Sequence, residues 1–312
     1  MNEEIKKKRK RKNALVLSGG GSMGAWAGGV IQHLVEDLEK EYELYVGTST
    51  GSLLAPLTSI REISTLKEGY TSITSKDIFN INPFNKRGGL HPRAIIRALL
   101  LKKTYGESLE LRETIKRYFL KKHFDKLVKS NKEVVAVVSN LTDEVSEVKS
   151  SNDYNYEDFI DWLWASANVE EYMSILEKEG NEYADGGVYS HIPIQTAIDR
   201  GATSIDVIVL SPEGFGIIKR EKIRHVFHYG FKVKRMMHRK IAKDNIDLNK
   251  LNSYGRDINI RVYYTPYRLS ENSLVFNKEE MLKWWGEGYL YAADGNHKNY
   301  KLTKSNVFKE VE

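Results

Sequence analysis

The 312-residue sequence contains no cysteine, which excludes disulfide bonds and metal sites built on thiolate ligands. It also lacks any apolar run near the length of about 20 residues that a membrane-spanning helix needs, so none is expected. The apolar run at residues 14–18 is too short for the core of a secretory signal peptide, and we expect no such peptide. These absences predict a cytoplasmic protein whose contact with lipid is peripheral.

Positive charge is concentrated in two segments. Residues 1–12 carry seven Lys or Arg against two Glu and supply most of the net charge of +6. We expect a disordered tail there, although anionic lipid headgroups would also attract such a block. Residues 219–243 carry ten Lys or Arg against one Glu, with apolar residues between them. They predict an amphipathic helical region whose exposed face either is solvated or meets a membrane. No nucleic-acid partner is expected.

Short apolar runs alternate with longer amphipathic stretches along the chain. The strand patterns are residues 14–17, 44–46, 133–138, 144–148, 204–210 and 258–264. The helical patterns are residues 25–40, 53–55, most of 60–129, 156–167 and 279–293. This alternation predicts a layered α/β fold with a largely parallel central sheet.

A glycine-rich turn, Ser18-Gly19-Gly20-Gly21-Ser22-Met23-Gly24, lies between the first strand and the first helix. Glycines let the backbone approach a ligand closely, and N–H groups at a helix N-terminus favour negative charge. The turn therefore suits either a phosphate or the oxyanion of an acyl-transfer intermediate. It also matches the G-x-G-x-x-G pattern of dinucleotide sites, which is weak evidence alone. The acidic residue that such a site needs after the next strand is absent, because that strand leads into Gly47 and Thr48.

The sequence Gly47-Thr48-Ser49-Thr50-Gly51 is a G-x-S-x-G pattern where a strand turns into a helix. This context is typical of a nucleophile elbow, in which the serine projects from a strained turn. An ordinary α/β-hydrolase places more strands before the elbow and a histidine late in the chain. No histidine here is a clear third member, and His191 is interpreted as structural. Asp185 is followed by Gly186 and Gly187, which alone predicts only a turn, but together with the other two signals the aspartate supplies a base.

Together, the GGGxxG turn, the G-x-S-x-G pattern about thirty residues later and the distant D-G-G resemble the patatin-like phospholipase family. Weaker matches lie at residues 24–30, 164–167 and 286–289, so the resemblance covers roughly residues 13–295. It implies a three-layer α/β/α patatin-like fold for a hydrolase domain over 13–295. Residues 296–312 are expected to form a polar C-terminal tail.

The resemblance also implies the site. Ser49 resembles the nucleophile and Asp185 the general base of a catalytic dyad without histidine, and Gly19, Gly20 and Gly21 resemble the oxyanion hole. The implied activity is a lipid acyl hydrolase of the phospholipase A or lysophospholipase type, acting on phospholipid or another acyl ester through an acyl-enzyme. No metal or organic cofactor is implied.

Two departures from the family pattern leave a second hypothesis open. Met23 stands where the family usually has a basic residue, and Asn168-Val169-Glu170-Glu171-Tyr172 replaces a segment that usually runs through proline. The alternative is a patatin-fold protein that binds lipid or a partner with weak or no hydrolysis. Phe159, Trp162 and Trp164 form an aromatic face on a predicted helix. This face either packs in the core, lines an acyl channel or meets a bilayer.

Overall fold

The computed structural model describes residues 12–85, 89–215, 222–223, 226–247 and 250–311. The predicted basic tail, apart from Lys12, and parts of the 219–243 segment lie outside the described residues. The described strands are β1 (Asn13–Leu17), β2 (Leu44–Thr48), β3 (Glu133–Asn140), β4 (Val145–Ser150), β5 (Leu176–Lys178), β6 (Asn181–Asp185), β7 (Ser204–Val209), β8 (Ile258–Tyr264), β9 (Lys298–Leu302) and β10 (Phe308–Val311). The described helices are α1 (Gly24–Gln32), α2 (Thr50–Ser59), α3 (Ile63–Ser72), α4 (Pro92–Leu99), α5 (Leu109–Tyr118), α6 (Lys121–Lys129), α7 (Tyr156–Ser166), α8 (Ile194–Asp199), α9 (Val226–Ile246) and α10 (Lys278–Ala293).

All ten described strands belong to one mixed sheet. Its centre is parallel, with neighbouring strands β8, β7, β1, β2 and β3. The other strands pair antiparallel at the two ends of this parallel core. The largely parallel sheet predicted from the sequence is confirmed.

Side chains that alternate along the strands divide the core into two layers. Leu15 and Leu17 of β1 face the layer that holds α1, α2, α7 and α10, whereas Ala14 and Val16 face the layer that holds α8. A strand buried on both faces reads as a continuous apolar run, which is what β1 shows. Helices on both faces of the sheet give the predicted α/β/α arrangement.

The segment expected as a polar C-terminal tail contains two strands of the sheet. β9 pairs antiparallel with β8, and β10 pairs antiparallel with β9. Tyr300 and Leu302 point into the core, while their neighbours are more exposed. The alternation in β9 is the pattern of an antiparallel strand with one buried face, and the many lysines around it obscured that pattern.

β5 and β6 form a tight hairpin that the sequence analysis did not identify. Lys178 pairs with Asn181, so only Glu179 and Gly180 form the loop. Both have positive φ, 56° and 82°, as a two-residue type I′ turn requires. This hairpin delivers Asp185 to the last position of β6.

Candidate active site

Ser49 occupies a strained turn between β2 and α2. Its backbone has φ 56° and ψ −128°, a conformation that residues other than glycine rarely adopt. A Cβ atom at Gly47 would overlap the backbone of Gly51, and a Cβ atom at Gly51 would overlap the backbone of Leu17. The two glycines of the G-x-S-x-G pattern are therefore required by close backbone approach. A strained turn between a strand and a helix is the geometry that a nucleophile elbow requires.

The pairing of β3 brings Ser49 and Asp185 together. β4 pairs with residues 135–140 of β3, while β2 pairs with residues 133–137 and β6 with residues 138–140. Because a strand has only two edges, β2 and β6 must share the edge opposite β4 and meet end to end. Thr48 is the partner of Val137, and Asp185 is the partner of the next residue, Val138. One residue of a strand rises about 3.3 Å, so the two strand ends are adjacent.

Asp185 is buried and held by hydrogen bonds on several sides. Its Oδ1 atom accepts a hydrogen bond of 2.7 Å from the Gly187 amide. Its backbone carbonyl accepts one of 2.7 Å from the Ser139 hydroxyl, and its amide donates to the Asn168 carbonyl at 2.9 Å. Only 4% of Asp185 and 5% of Ser49 are exposed to solvent. A carboxylate in this position is fixed in orientation and shielded from bulk water.

The glycine-rich turn lies directly beside Ser49. A Cβ atom at Gly19 would lie 3.2 Å from the Ser49 Cβ and 2.8 Å from the His191 Cε1. The Gly19 amide, however, donates to the His191 carbonyl at 3.1 Å. No acceptor for the Gly20 or Gly21 amide is found among the described residues. This restricts the predicted set of anion donors to Gly20 and Gly21, because the Gly19 amide is already engaged.

His191 lies between the two halves of the site. Its ring lies close to the Gly19 position and also close to Gly187. A Cβ atom built on Gly187 would lie 3.3 Å from His191 Nδ1 and 3.0 Å from Asp185 Oδ1. The imidazole is therefore next to both the serine turn and the aspartate loop. The sequence interpretation of His191 as a structural residue does not reveal this position, because its approach to Gly19 depends on contacts between distant segments.

Ser166, at the end of α7, supports the elbow from below. Its hydroxyl accepts a hydrogen bond of 3.1 Å from the Ser49 amide and donates one of 2.6 Å to the Val137 carbonyl. The hydroxyl is fully buried. It thus links the serine turn to β3, the strand with which the Asp185 end of β6 pairs. The sequence signal was the small-residue segment at residues 164–167, which did not by itself indicate this contact.

Thr50 and Tyr70 make a second polar contact next to the elbow. The two hydroxyls lie 2.6 Å apart, and the Tyr70 hydroxyl also donates to the Thr50 carbonyl at 3.0 Å. Burial raises the pKa of Tyr70, so the phenol stays protonated. This pair ties α3 to the first turn of α2.

An apolar cavity opens onto Ser49. Ser49 and Gly21 form part of its wall. The other lining residues come mainly from α2, α3 and α5 and are mostly aliphatic or aromatic, among them Leu53, Leu57, Leu66, Ile78, Leu111, Ile115, Phe119, Leu163, Val169, Met173, Leu274 and Phe276. Such a lining favours a hydrocarbon chain over a polar ligand.

The aromatic face of α7 packs in the core. Phe159 and Trp162 are fully buried and Trp164 is 5% exposed, and none of the three lines the cavity. The hypotheses that this face lines an acyl channel or meets a bilayer are therefore wrong. Trp162 instead packs edge-on against Tyr183 of β6, with ring centroids 4.9 Å apart.

Within the described residues, no group of three or more His, Asp or Glu side chains is placed to hold a metal ion. None of the described helices combines the length and apolar character that crossing a membrane would require.

Comparison with known proteins places these features in context. The family model described as Patatin-like phospholipase matches residues 15–198, which is more than half of the chain. A protein from Invertebrate iridescent virus 6, named Probable lipid hydrolase 463L, is 25% identical over 198 residues. That match covers 61% of this chain and 65% of the viral protein, slightly less than two thirds of its length. The crystal structure of VipD from Legionella pneumophila aligns with 93% of this chain and 68% of its own, at 13% identity and a TM-score of 0.46.

Proposed function

We propose that this chain, which belongs to the patatin-like phospholipase family, is a lipid acyl hydrolase that cleaves carboxylic esters with Ser49 as nucleophile and Asp185 as base. The observation that carries the proposal is the shared edge of β3. It sets the strand end that precedes Ser49 beside the strand end that carries Asp185.

The reaction proceeds in two acyl transfers. Asp185 accepts the hydroxyl proton as Ser49 Oγ forms a bond to the ester carbonyl carbon. The bond to the alcohol then breaks, and the proton passes from Asp185 to the departing alkoxide. In the second transfer, water attacks the acyl-enzyme, Asp185 takes its proton, and the proton returns to Ser49 Oγ as the fatty acid leaves. A carboxylate is a weak base for an alcohol, so its fixed orientation and shielding from water must contribute much of the activation.

The amides of Gly20 and Gly21 are the proposed donors to the oxyanion. They have no acceptor among the described residues, and Gly21 lies in the cavity wall beside Ser49. Donors already aimed at developing charge need no reorganisation during the reaction, and the loss of one commonly costs about 2.7–4 kcal/mol in the barrier. Leu210 packs directly against Gly20, and a Cβ atom at position 20 would lie only 2.5 Å from Leu210 Cδ1. A side chain at position 20 would therefore displace these amides.

The apolar cavity is the proposed site of the acyl chain. Ser49 is part of its wall, and it offers few polar groups with which to recognise a headgroup. The substrate class that fits is a long-chain carboxylic ester, with the alcohol portion outside the cavity.

The decisive experiment combines covalent labelling with turnover. A fluorophosphonate probe should modify Ser49, and a chromogenic fatty-acyl ester should be hydrolysed by the wild-type chain. Ser49→Ala should abolish both signals, and Asp185→Asn should reduce each by at least a hundredfold. Ser305→Ala and Asp294→Asn, at exposed positions, are the matched controls. Full hydrolysis in both site variants would refute the assignment.

The alternative is a lipid-binding protein with weak or no hydrolysis, and the residue at position 23 favours it. Met23 packs partly buried against the core and brings no charge to the glycine-rich turn. If this alternative holds, a fluorescent fatty acid should bind in the cavity while the labelling and turnover assays stay negative for the wild-type chain.

A further inference from the structure

Helix α4 and the loop after it expose an unusual amount of aliphatic surface. Leu99 is 77% exposed and Leu101 is 92% exposed. Ile95, Ile96 and Leu100 of the same segment are also exposed. Residues 91–103 contain four Lys or Arg and no Asp or Glu. We call this the α4 strip, residues 95–101.

Helix α9 carries a second exposed apolar strip. Tyr229, Val233, Met236 and Met237 are exposed, and their spacing of four, three and one residues places them on one face of the helix. Ala242, on another face, is buried. Residues 226–243 contain six Lys or Arg and no Asp or Glu. We call this the α9 strip, residues 229–237.

The two strips flank the same short segment of the cavity wall. On the α4 side, Arg97 Nε donates to the Thr104 carbonyl at 3.1 Å, and the Tyr105 amide donates to the Glu171 carbonyl at 2.7 Å. On the α9 side, Lys234 Nζ donates to the Glu170 carbonyl at 3.1 Å and lies 3.4 Å from a Glu171 carboxylate oxygen.

This short segment, residues 169–173, leads into the cavity. Val169 and Met173, on either side of the two glutamates, line it. The α9 strip thus contacts the wall of the proposed acyl site directly through Lys234, and the α4 strip is joined to it through Thr104 and Tyr105.

Helix α9 is also attached to the loop that follows Asp185. The Asn245 side-chain oxygen accepts hydrogen bonds from the amides of His191, at 2.6 Å, and Ile192, at 3.2 Å. The helix that carries one strip is therefore anchored at its C-terminal end to the proposed catalytic loop.

Charge indicates what would cover these strips. Arg97, Lys103, Lys234 and Lys240 pair with carboxylates of the protein, whereas Arg93, Lys102, Arg235 and Lys243 have no ion-pair partner among the described residues. Exposed aliphatic side chains next to such cations match the interface of an anionic bilayer, where the side chains enter the headgroup region and the cations meet phosphate or carboxylate groups. We propose that the α4 and α9 strips together form a docking surface for an anionic lipid membrane, which presents the cavity to lipid acyl chains. This inference rests on the proposed function for its reason, since the substrate is a lipid, but its test is separate.

The test measures partition of the full-length chain onto vesicles by co-sedimentation. Vesicles of phosphatidylcholine with about one third phosphatidylserine should bind the wild-type chain at least tenfold more strongly than pure phosphatidylcholine, and 0.5 M salt should weaken that binding. The double variants Leu99→Ser/Leu101→Ser and Met236→Ser/Met237→Ser should each reduce partition at least tenfold. Leu282→Ser/Leu290→Ser, which removes two comparably exposed leucines from α10, is the matched control and should change partition less than twofold.

Two further readouts separate the possible outcomes. Both strip variants should hydrolyse a short, monomeric ester as the wild-type chain does, and Ser49→Ala should bind vesicles normally. Failure of ester hydrolysis with intact, strip-dependent vesicle binding would refute the proposed function alone. Equal vesicle binding by the wild-type chain and both strip variants would overturn the docking surface. So would sedimentation evidence that the strips join two copies of the chain while vesicle binding is unaffected.

Discussion

The backbone of Ser49 allows a direct test of the elbow, through the comparison of Ser49→Gly with Ser49→Ala. Both variants lose the hydroxyl, which makes no cap hydrogen bond to α2. Only the glycine variant also loses the Cβ atom that disfavours φ 56° and ψ −128°. Holding a residue other than glycine in such a region costs about 1–3 kcal/mol. The added freedom of glycine in the unfolded chain costs about 0.5–1 kcal/mol. Ser49→Gly should therefore be more stable than Ser49→Ala by roughly 1 kcal/mol.

The measurement is the free energy of unfolding in urea, followed by tryptophan fluorescence. Glu68, exposed in the interior of α3, is the matched control position, because glycine there should be less stable than alanine by about 1 kcal/mol. The sign of the glycine effect should thus reverse between the two positions. If glycine destabilises position 49 as much as position 68, the elbow is not strained and the reasoning fails.

Three further predictions concern the surroundings of the site. Ser166→Ala should cost about 1–3 kcal/mol in the free energy of unfolding and lower kcat, because the Ser49 amide loses its acceptor; unchanged values in urea unfolding and ester assays would contradict this. Val169→Phe should shift the substrate preference towards shorter acyl esters, because Val169 lines the cavity. The measurement is hydrolysis of esters of increasing chain length, with Val307→Phe as the control. Identical chain-length profiles for the two variants would show that Val169 does not belong to the acyl site. Burial, followed by the positive charges of Arg261 and Lys40, lowers the pKa of His297 from 6.5. The unfolded chain therefore binds this proton first as pH falls, and stability should decrease below about pH 6.5. The decrease should be smaller in His297→Gln. If urea unfolding gives the same dependence of the free energy of unfolding on pH for both proteins, His297 is not its cause.

The sequence predicted the parts of the fold whose signals are local. β8 and α7 lie where their apolar patterns indicated, and the elbow and the glycine-rich turn occupy the predicted junctions. β6 was missed, because Asn181-Glu182-Tyr183-Ala184-Asp185 is short and polar and becomes a strand only by pairing with β3. The prediction of a polar tail over residues 296–312 has a similar cause, since β9 and β10 lie at one end of the sheet, where strands keep a polar face.

The finer features of the site depend on contacts between distant segments. The capture of the Gly19 amide by the His191 carbonyl joins residues far apart in the chain, and no local pattern indicates it. The aromatic face of α7 shows the opposite difficulty. A helix with Trp162 and Phe159 on one side must bury that side, but periodicity does not say whether a core, a cavity or a membrane covers it.

The two-residue turn between β5 and β6 has a consequence for inherited or engineered change. Side chains alternate along a strand, so a one-residue slip of β6 would turn both Asp185 and the buried Tyr183 towards the opposite face of the sheet. Glu179 and Gly180 hold the pairing through their left-handed backbones, although neither belongs to the cavity. Insertions or deletions at this turn should therefore lower stability and activity together, and random mutagenesis scored for both should find them there.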